Sequence, residues 1–118
     1  MEEILYKRGD IIFVVNPLQE HHGHVICGNH PAVVIQNQKA NESSPNLIIA
    51  YVTSQLKRVE LPTHVVIQWY DELKPSVILA EQLTTISKGD VLGYVAHLRE
   101  EDMVRLDKAL KASLELEV

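Results

Sequence analysis

The sequence predicts an α+β fold that is mainly β, a small barrel of short strands closed by one amphipathic helix at the C-terminal end. Three observations carry this expectation. Short β-branched runs recur from Ile11 to Leu79, turn-forming residues separate them, and after Asp90 the apolar residues change to a helical period. A chain of 118 residues is long enough for one core, so one domain spanning residues 1–118 is expected.

Taken in order, Arg8-Gly9-Asp10 reads as a turn and the continuous run from Ile11 to Val15, IIFVV, as a buried strand. A polar loop follows from Asn16 to His30, broken by Pro17, Gly23 and Gly28. Pro31 leads into AVVIQ, a second strand that ends at the turn-forming Asn37–Pro45 segment. The run Leu47–Thr53, LIIAYVT, is the third. Val65–Ile67 is a fourth, reached through Leu61-Pro62-Thr63-His64, and Ser76–Leu79 a fifth, after a loop around Asp71–Pro75. A short helical turn is expected near Thr85–Asp90. Met103, Leu106, Leu110 and Leu114 then recur at three- and four-residue steps, with Glu100, Glu101 and Asp102 placed where a helix dipole favours negative charge. Such a helix must cover something.

Composition narrows the function. A hydrophobic fraction of 46% with five glycines and five prolines fits a globular chain rather than a disordered one. The first residues, MEEILYKRGD, lack the apolar core of a leader, and no run approaches a membrane span, so a cytoplasmic protein with no membrane partner is expected. The single cysteine forms no internal disulfide. The net charge of −5 argues against broad, non-specific binding of nucleic acid, which wants a basic face, and leaves room for a local cationic groove.

One stretch stands out: His21 to Pro31, HHGHVICGNHP, holds four of the six histidines and the only cysteine. Zinc takes His and Cys, so His22, His24, Cys27 and His30 have suitable atoms, but four ligands on one short loop lack the paired spacings by which such residues surround an ion. Acid–base groups and a plain solvated loop are the competing readings, and neither metal nor cofactor is expected.

The segments KRGDIIFV, GHVICGNHPAVVIQN, YVTSQL, LPTHVVI, SVILAEQLTTI and EEDMVRLDKALKASLEL occur in an order that resembles the MazF/PemK (Kid-like) toxin family over Lys7 to Leu116. The resemblance implies an SH3-like or CcdB-like barrel that forms a homodimer. It implies an endoribonuclease that cuts single-stranded RNA without metal and is held inactive by a cognate antitoxin, with operator DNA bound through the toxin–antitoxin complex. The family's first loop follows roughly G-[SH]-E-Q-x-G-x-R-P, with a catalytic arginine and a catalytic threonine at the end of the third strand. Gly23 and His24 match the start of that loop, Pro31 its end, and Thr53 the threonine.

The departures are specific. His30 stands where the family has its arginine, Val25 and Ile26 replace the glutamate and glutamine, and in Glu81-Gln82-Leu83-Thr84-Thr85 it is Thr84 that replaces a second arginine. Each lost arginine removes a fixed charge and a bidentate phosphate contact. Histidine can act as acid or base near neutral pH, so the expected catalytic set is His30, Thr53 and His24. The expected substrate-binding set is Gln55, Lys57, Arg58, Glu81, Gln82 and Thr84. Trp69 and Tyr70 are expected to pack in the core or a dimer contact rather than stack a base, and Cys27 to be a small buried residue. Beside the nuclease stand two alternatives: an impaired relative that binds antitoxin or nucleic acid, and a metal-binding barrel.

Overall fold

The computed structural model describes residues 4–15 and 28–116. Its elements are β1 (Asp10–Val14), β2 (His30–Val34), α1 (Gln38–Ser43), β3 (Asn46–Thr53), β4 (His64–Ile67), β5 (Ser76–Ser87), a 3-10 turn over Lys88–Asp90, β6 (Val91–His97) and α2 (Glu100–Leu114). The six strands form one antiparallel sheet in the order β4-β5-β3-β2-β1-β6. The mainly-β architecture with a covering C-terminal helix is therefore the one expected from the sequence.

Alternation assigns the two sides of the sheet. Ile11, Val33, Ala50, Val52, Val65, Ile67, Ile78 and Ala80 pack with Leu98, Leu106, Ala109 and Leu110 into the core that α2 covers. Their neighbours one residue along, among them Ile12, Val14, Ala32, Val34, Leu47, Ile49 and Tyr51, form a second buried cluster on the opposite side with Tyr6 and Ile86. Helix α2 lies mainly on β4 and β5, and Arg8 ties it to the start of β1 through a 2.6 Å ion pair with Asp107. In the turn before β1, Gly9 has φ +98°, a conformation that strains any L side chain, and a Cβ there would also displace Met103 Sδ, 2.6 Å away.

Four expectations need correction. The Asn37–Pro45 segment is not only a turn: Asn37 caps α1 by accepting from the Ala40 N–H at 2.9 Å, and the buried Asn41 exchanges hydrogen bonds with Gln36. The fifth strand runs to Ser87 rather than Leu79, because the polar residues beyond Ala80 still pair with β3 through their backbones. Only Lys88–Asp90 of the expected Thr85–Asp90 turn is helical. Strand β6 was not expected at all: it is an edge paired with β1 alone, with Leu92, Gly93 and Tyr94 exposed and its apolar residues interrupted by Gly93.

Trp69 is not in the core, the first of its two expected packings: it is 86% exposed, in the left-handed region at φ 68°. The carbonyls of Gln68 and Trp69 are held by the Arg99 guanidinium, which also stacks 4.1 Å from the Tyr70 ring centroid. Tyr70 donates to the buried Asp102 at 2.6 Å and accepts from the Arg99 N–H at 2.7 Å. Burial first, then the hydrogen bond to Asp102, push its phenol up to about 12 from 10.0. The protonated form is the one that folding favours, so this contribution to stability is whole below pH 10 and is lost as pH rises toward about 12. We predict that Tyr70→Phe costs about 1–2 kcal/mol in urea unfolding at pH 7 and removes that alkaline decline; an unchanged decline excludes Tyr70 as its source.

Candidate active site

His30 is the first residue of β2 and not, as expected, the last of a loop. Continuing the register Ala32↔Tyr51 two steps places His30 opposite Thr53, with Pro31 opposite Val52. Proline brings no N–H to the ladder, and the Val52 carbonyl faces His30 Nδ1 at 3.3 Å instead. Against a carbonyl Nδ1 must be the donor, which fixes the tautomer and leaves Nε2 as the basic nitrogen.

By alternation along β2 and β3, His30 and Thr53 lie on the side of the sheet away from α2, the side of Tyr51 and the second core cluster. The Thr53 hydroxyl accepts from the Gln55 N–H at 3.1 Å, a two-residue turn that keeps its own proton available for donation. Burial pushes the Tyr51 phenol up, so it stays neutral beside this pair. A base nitrogen and a hydroxyl donor on facing strand ends suit attack of one oxygen on a phosphorus.

The next part of the site comes from an irregularity. Ala50 pairs with Leu83 but Val52 with Ile78, so β5 carries extra residues opposite Tyr51. Ile78, Ala80 and Leu83 all pack in the helix-side core, and the alternation therefore slips between 80 and 83. Glu81 and Gln82 are the two residues inside the slip, and the Glu81 carboxylate reaches His64 Nε2 at 2.8 Å.

The expected substrate-binding residues thus divide into groups. Gln55, Lys57 and Arg58 are exposed on the connection that leaves Thr53, and Glu81 and Gln82 sit on the bulge. Arg58 has φ 53° and pairs with Glu60 at 2.9 Å, which holds the Glu60 carboxyl below its ordinary range. Thr84 pairs with Ile49, four residues back along β3 from Thr53, or about 13 Å at strand rise, so it is not brought to the His30–Thr53 pair. His24, with the rest of the His21–Cys27 run, lies outside the described residues. Among the described residues no cluster of three or more His, Cys, Asp or Glu is placed to hold a metal ion.

The sequence reading gave no role to His64. Its Nδ1 lies 2.8 Å from the Arg58 carbonyl and its Nε2 2.8 Å from Glu81 Oε1, so it joins the connection to the bulge. The only signal was its place in LPTHVVI, at the first position of a strand that pairs with the one bearing Glu81.

Comparison with known proteins follows this geometry. Residues 7–114 match the family described as the PemK-like, MazF-like toxin of type II toxin-antitoxin systems. Endoribonuclease EndoA of Bacillus subtilis (strain 168) is 40% identical over 116 residues, covering 96% of this chain and 97% of that protein. MazF from Deinococcus radiodurans superposes with a TM-score of 0.79 at 18% identity, over 96% of this chain and 99% of that one. A MazE–MazF complex from the same organism gives 0.77 at 18% identity, over 98% of this chain and 100% of the other. At that identity the two structures show the shared fold, while the family match and the relative show descent, and the chain belongs to the PemK-like, MazF-like toxins of type II toxin–antitoxin systems.

Proposed function

We propose that this protein is a metal-independent endoribonuclease of the toxin type, cutting single-stranded RNA and neutralised by a cognate antitoxin. The observation that supports the reading is that His30 and Thr53 stand opposite one another at facing ends of β2 and β3. His30 Nε2 takes the proton of a 2′-hydroxyl, whose oxygen attacks the adjacent phosphorus while the Thr53 O–H donates to a phosphoryl oxygen. The bond from phosphorus to the 5′-oxygen breaks, and His24 as imidazolium supplies the proton to that oxygen. The products are a 2′,3′-cyclic phosphate and a 5′-hydroxyl.

Lys57 and Arg58 meet the RNA backbone in place of the family's arginines, while Glu81 and Gln82 meet base edges. The 40% identity to a protein named as an endoribonuclease supports the activity, and the antitoxin complex of a relative of like fold supports the partner. Operator DNA is reached through the antitoxin complex, and the cytoplasm is the proposed compartment; among the described residues no helix is long and apolar enough to cross a membrane. The test is cleavage of a long single-stranded RNA in EDTA, with the new ends characterised. Wild-type protein that makes no 2′,3′-cyclic phosphate on any RNA at high concentration leaves only the binding module.

Two further expectations follow from this reading. Removal of metal should change neither the fold nor the cleavage rate; stoichiometric zinc retained by untagged protein, with unfolding on its removal, would favour the metal-binding barrel. The protein should also be a homodimer. Ile4, Leu5, Leu92 and Tyr94 are exposed around an apolar depression of about 480 Å³ beside edge strand β6, a surface that a second copy can bury. Light scattering should give about 27 kDa, twice the chain mass of 13.3 kDa, and a monomer at micromolar concentration rejects the dimer.

A further inference from the structure

We infer that His64 is a positioning residue of this site, a doubly donating imidazolium that fixes the distance between the connection carrying Lys57 and Arg58 and the bulge carrying Glu81 and Gln82. The inference rests on the proposed RNA-cleaving function, because it assigns to one ring the spacing between the groups that meet backbone and base.

The geometry is restrictive. The His64 side chain is only 8% exposed, and its two nitrogens are each 2.8 Å from an oxygen, the Arg58 carbonyl on one side and the Glu81 carboxylate on the other. A carbonyl accepts only, and so does an ionised carboxylate. A neutral imidazole has one N–H and serves one of them, whereas the protonated ring serves both. The Arg58 carbonyl also accepts from the Leu61 backbone N–H at 3.1 Å, and the His64 backbone N–H donates to the Leu61 carbonyl at 3.0 Å, so the connection is folded tightly before β4. Ala80, directly before the bulge, donates its N–H to the Thr63 carbonyl at 2.9 Å. Arg58 is held in the left-handed region by these contacts and no glycine is present to relax it.

The charged groups around the ring come from three elements. Glu81 faces it from β5, Arg58 and Glu60 from the connection, and Arg105 and Lys108 of α2 share the depression lined by Pro62, His64 and Val65. Loss of one ring proton releases either the Arg58 carbonyl or the Glu81 carboxylate. In the first case the phosphate-contacting cations drift from the bulge, and in the second the base-reading carboxylate turns. Neither change touches His30 or Thr53, so substrate binding is expected to suffer and the chemical step to hold.

Two variants separate the contacts, because an asparagine amide reaches the position of Nδ1 and a glutamine amide that of Nε2. His64→Asn keeps the tie to Arg58, and His64→Gln keeps the tie to Glu81. For each we expect KM on a short single-stranded RNA to rise about tenfold with kcat within twofold, and KM to lack the pH dependence expected of wild type. Nitrogen-15 spectra of the wild-type ring should show both nitrogens protonated when both contacts are made. The amide signals of Arg58 and Glu81 should move together with the ring as pH is raised. A ring that is neutral while both contacts persist, amides that do not follow it, or variants that lower kcat and leave KM unchanged each overturn the inference. Wild-type protein that cuts no RNA overturns the nuclease reading instead and is established before any variant is compared, while the spectra report on the tie itself with or without cleavage.

Discussion

Substituting His30 by alanine is expected to lower the single-turnover rate of RNA cleavage by about 10²- to 10⁴-fold, the range that one positioned acid–base group supplies. The reason is the fixed tautomer. With Nδ1 committed to the Val52 carbonyl at 3.3 Å, Nε2 is the ring atom left to take the 2′-hydroxyl proton, and alanine removes it along with the strand-end contact that Pro31 cannot make. The fold should survive, since the neighbouring β2–β3 ladder over Ala32, Val33 and Val34 is untouched. His30→Arg then separates two accounts of the departure from the family pattern. If the imidazole does the proton transfer, arginine flattens the pH–rate profile and lowers the rate at its optimum, because guanidinium keeps its proton throughout. A rate that rises with arginine, or an alanine variant within threefold of wild type, rejects His30 as the base. Thr53→Val removes the hydroxyl donor at constant shape and is expected to act on kcat as well.

The parts of this molecule that were legible in the sequence are those where a side chain repeats the backbone's period. IIFVV, LIIAYVT and the Met103-Leu106-Leu110-Leu114 stripe each mark an element because most of their apolar residues are buried in it. Edge strand β6 and the outer half of β5 were not legible, since an edge or a bulge pairs through backbone groups that every residue has. Helix α1 was hidden for another reason. Asn37, Asn41 and Ser43 are turn formers by propensity, and here the first two are spent as a cap and as a buried partner of Gln36.

The site shows the same division. His30 and Thr53 could be singled out because the resemblance placed them at matched positions, but their being opposite one another is a fact of register. Thr84 was grouped with them by motif and lies about 13 Å along the sheet, as strand rise dictates. His64 carried no motif of its own. Its role depends on two acceptors contributed by residues 6 and 17 positions away, which no local pattern reveals.

The largest effect on stability is expected at a residue that the sequence placed correctly for a different reason. Asp102 was assigned to the first turn of α2, where its charge complements the helix dipole, and it is indeed there. It is also the buried anion of a cluster: 4% exposed, it accepts from Tyr70 at 2.6 Å and Arg105 at 3.0 Å and lies 3.5 Å from Arg99. Those arginines in turn hold the carbonyls of Val66, Gln68 and Trp69, so one carboxylate organises the whole β4–β5 connection. Asp102→Ala leaves a buried hydroxyl and two guanidinium groups without their anion. Breaking a buried pair costs about 3–5 kcal/mol, and the partial exposure of both arginines puts the expectation near about 3 kcal/mol. For a domain of this size that is a fall in Tm of about 10–15 °C. Asp102→Asn keeps an acceptor for Tyr70 and should cost about half as much, because only the charge is lost. The spectroscopic consequence is local: Trp69 fluorescence should shift or broaden in Asp102→Ala below its unfolding transition, as the carbonyl clamp of Arg99 relaxes. An alanine variant that unfolds within about 0.5 kcal/mol of wild type shows that the arginines and Tyr70 find solvent instead, and that the cluster orders the connection without stabilising the fold.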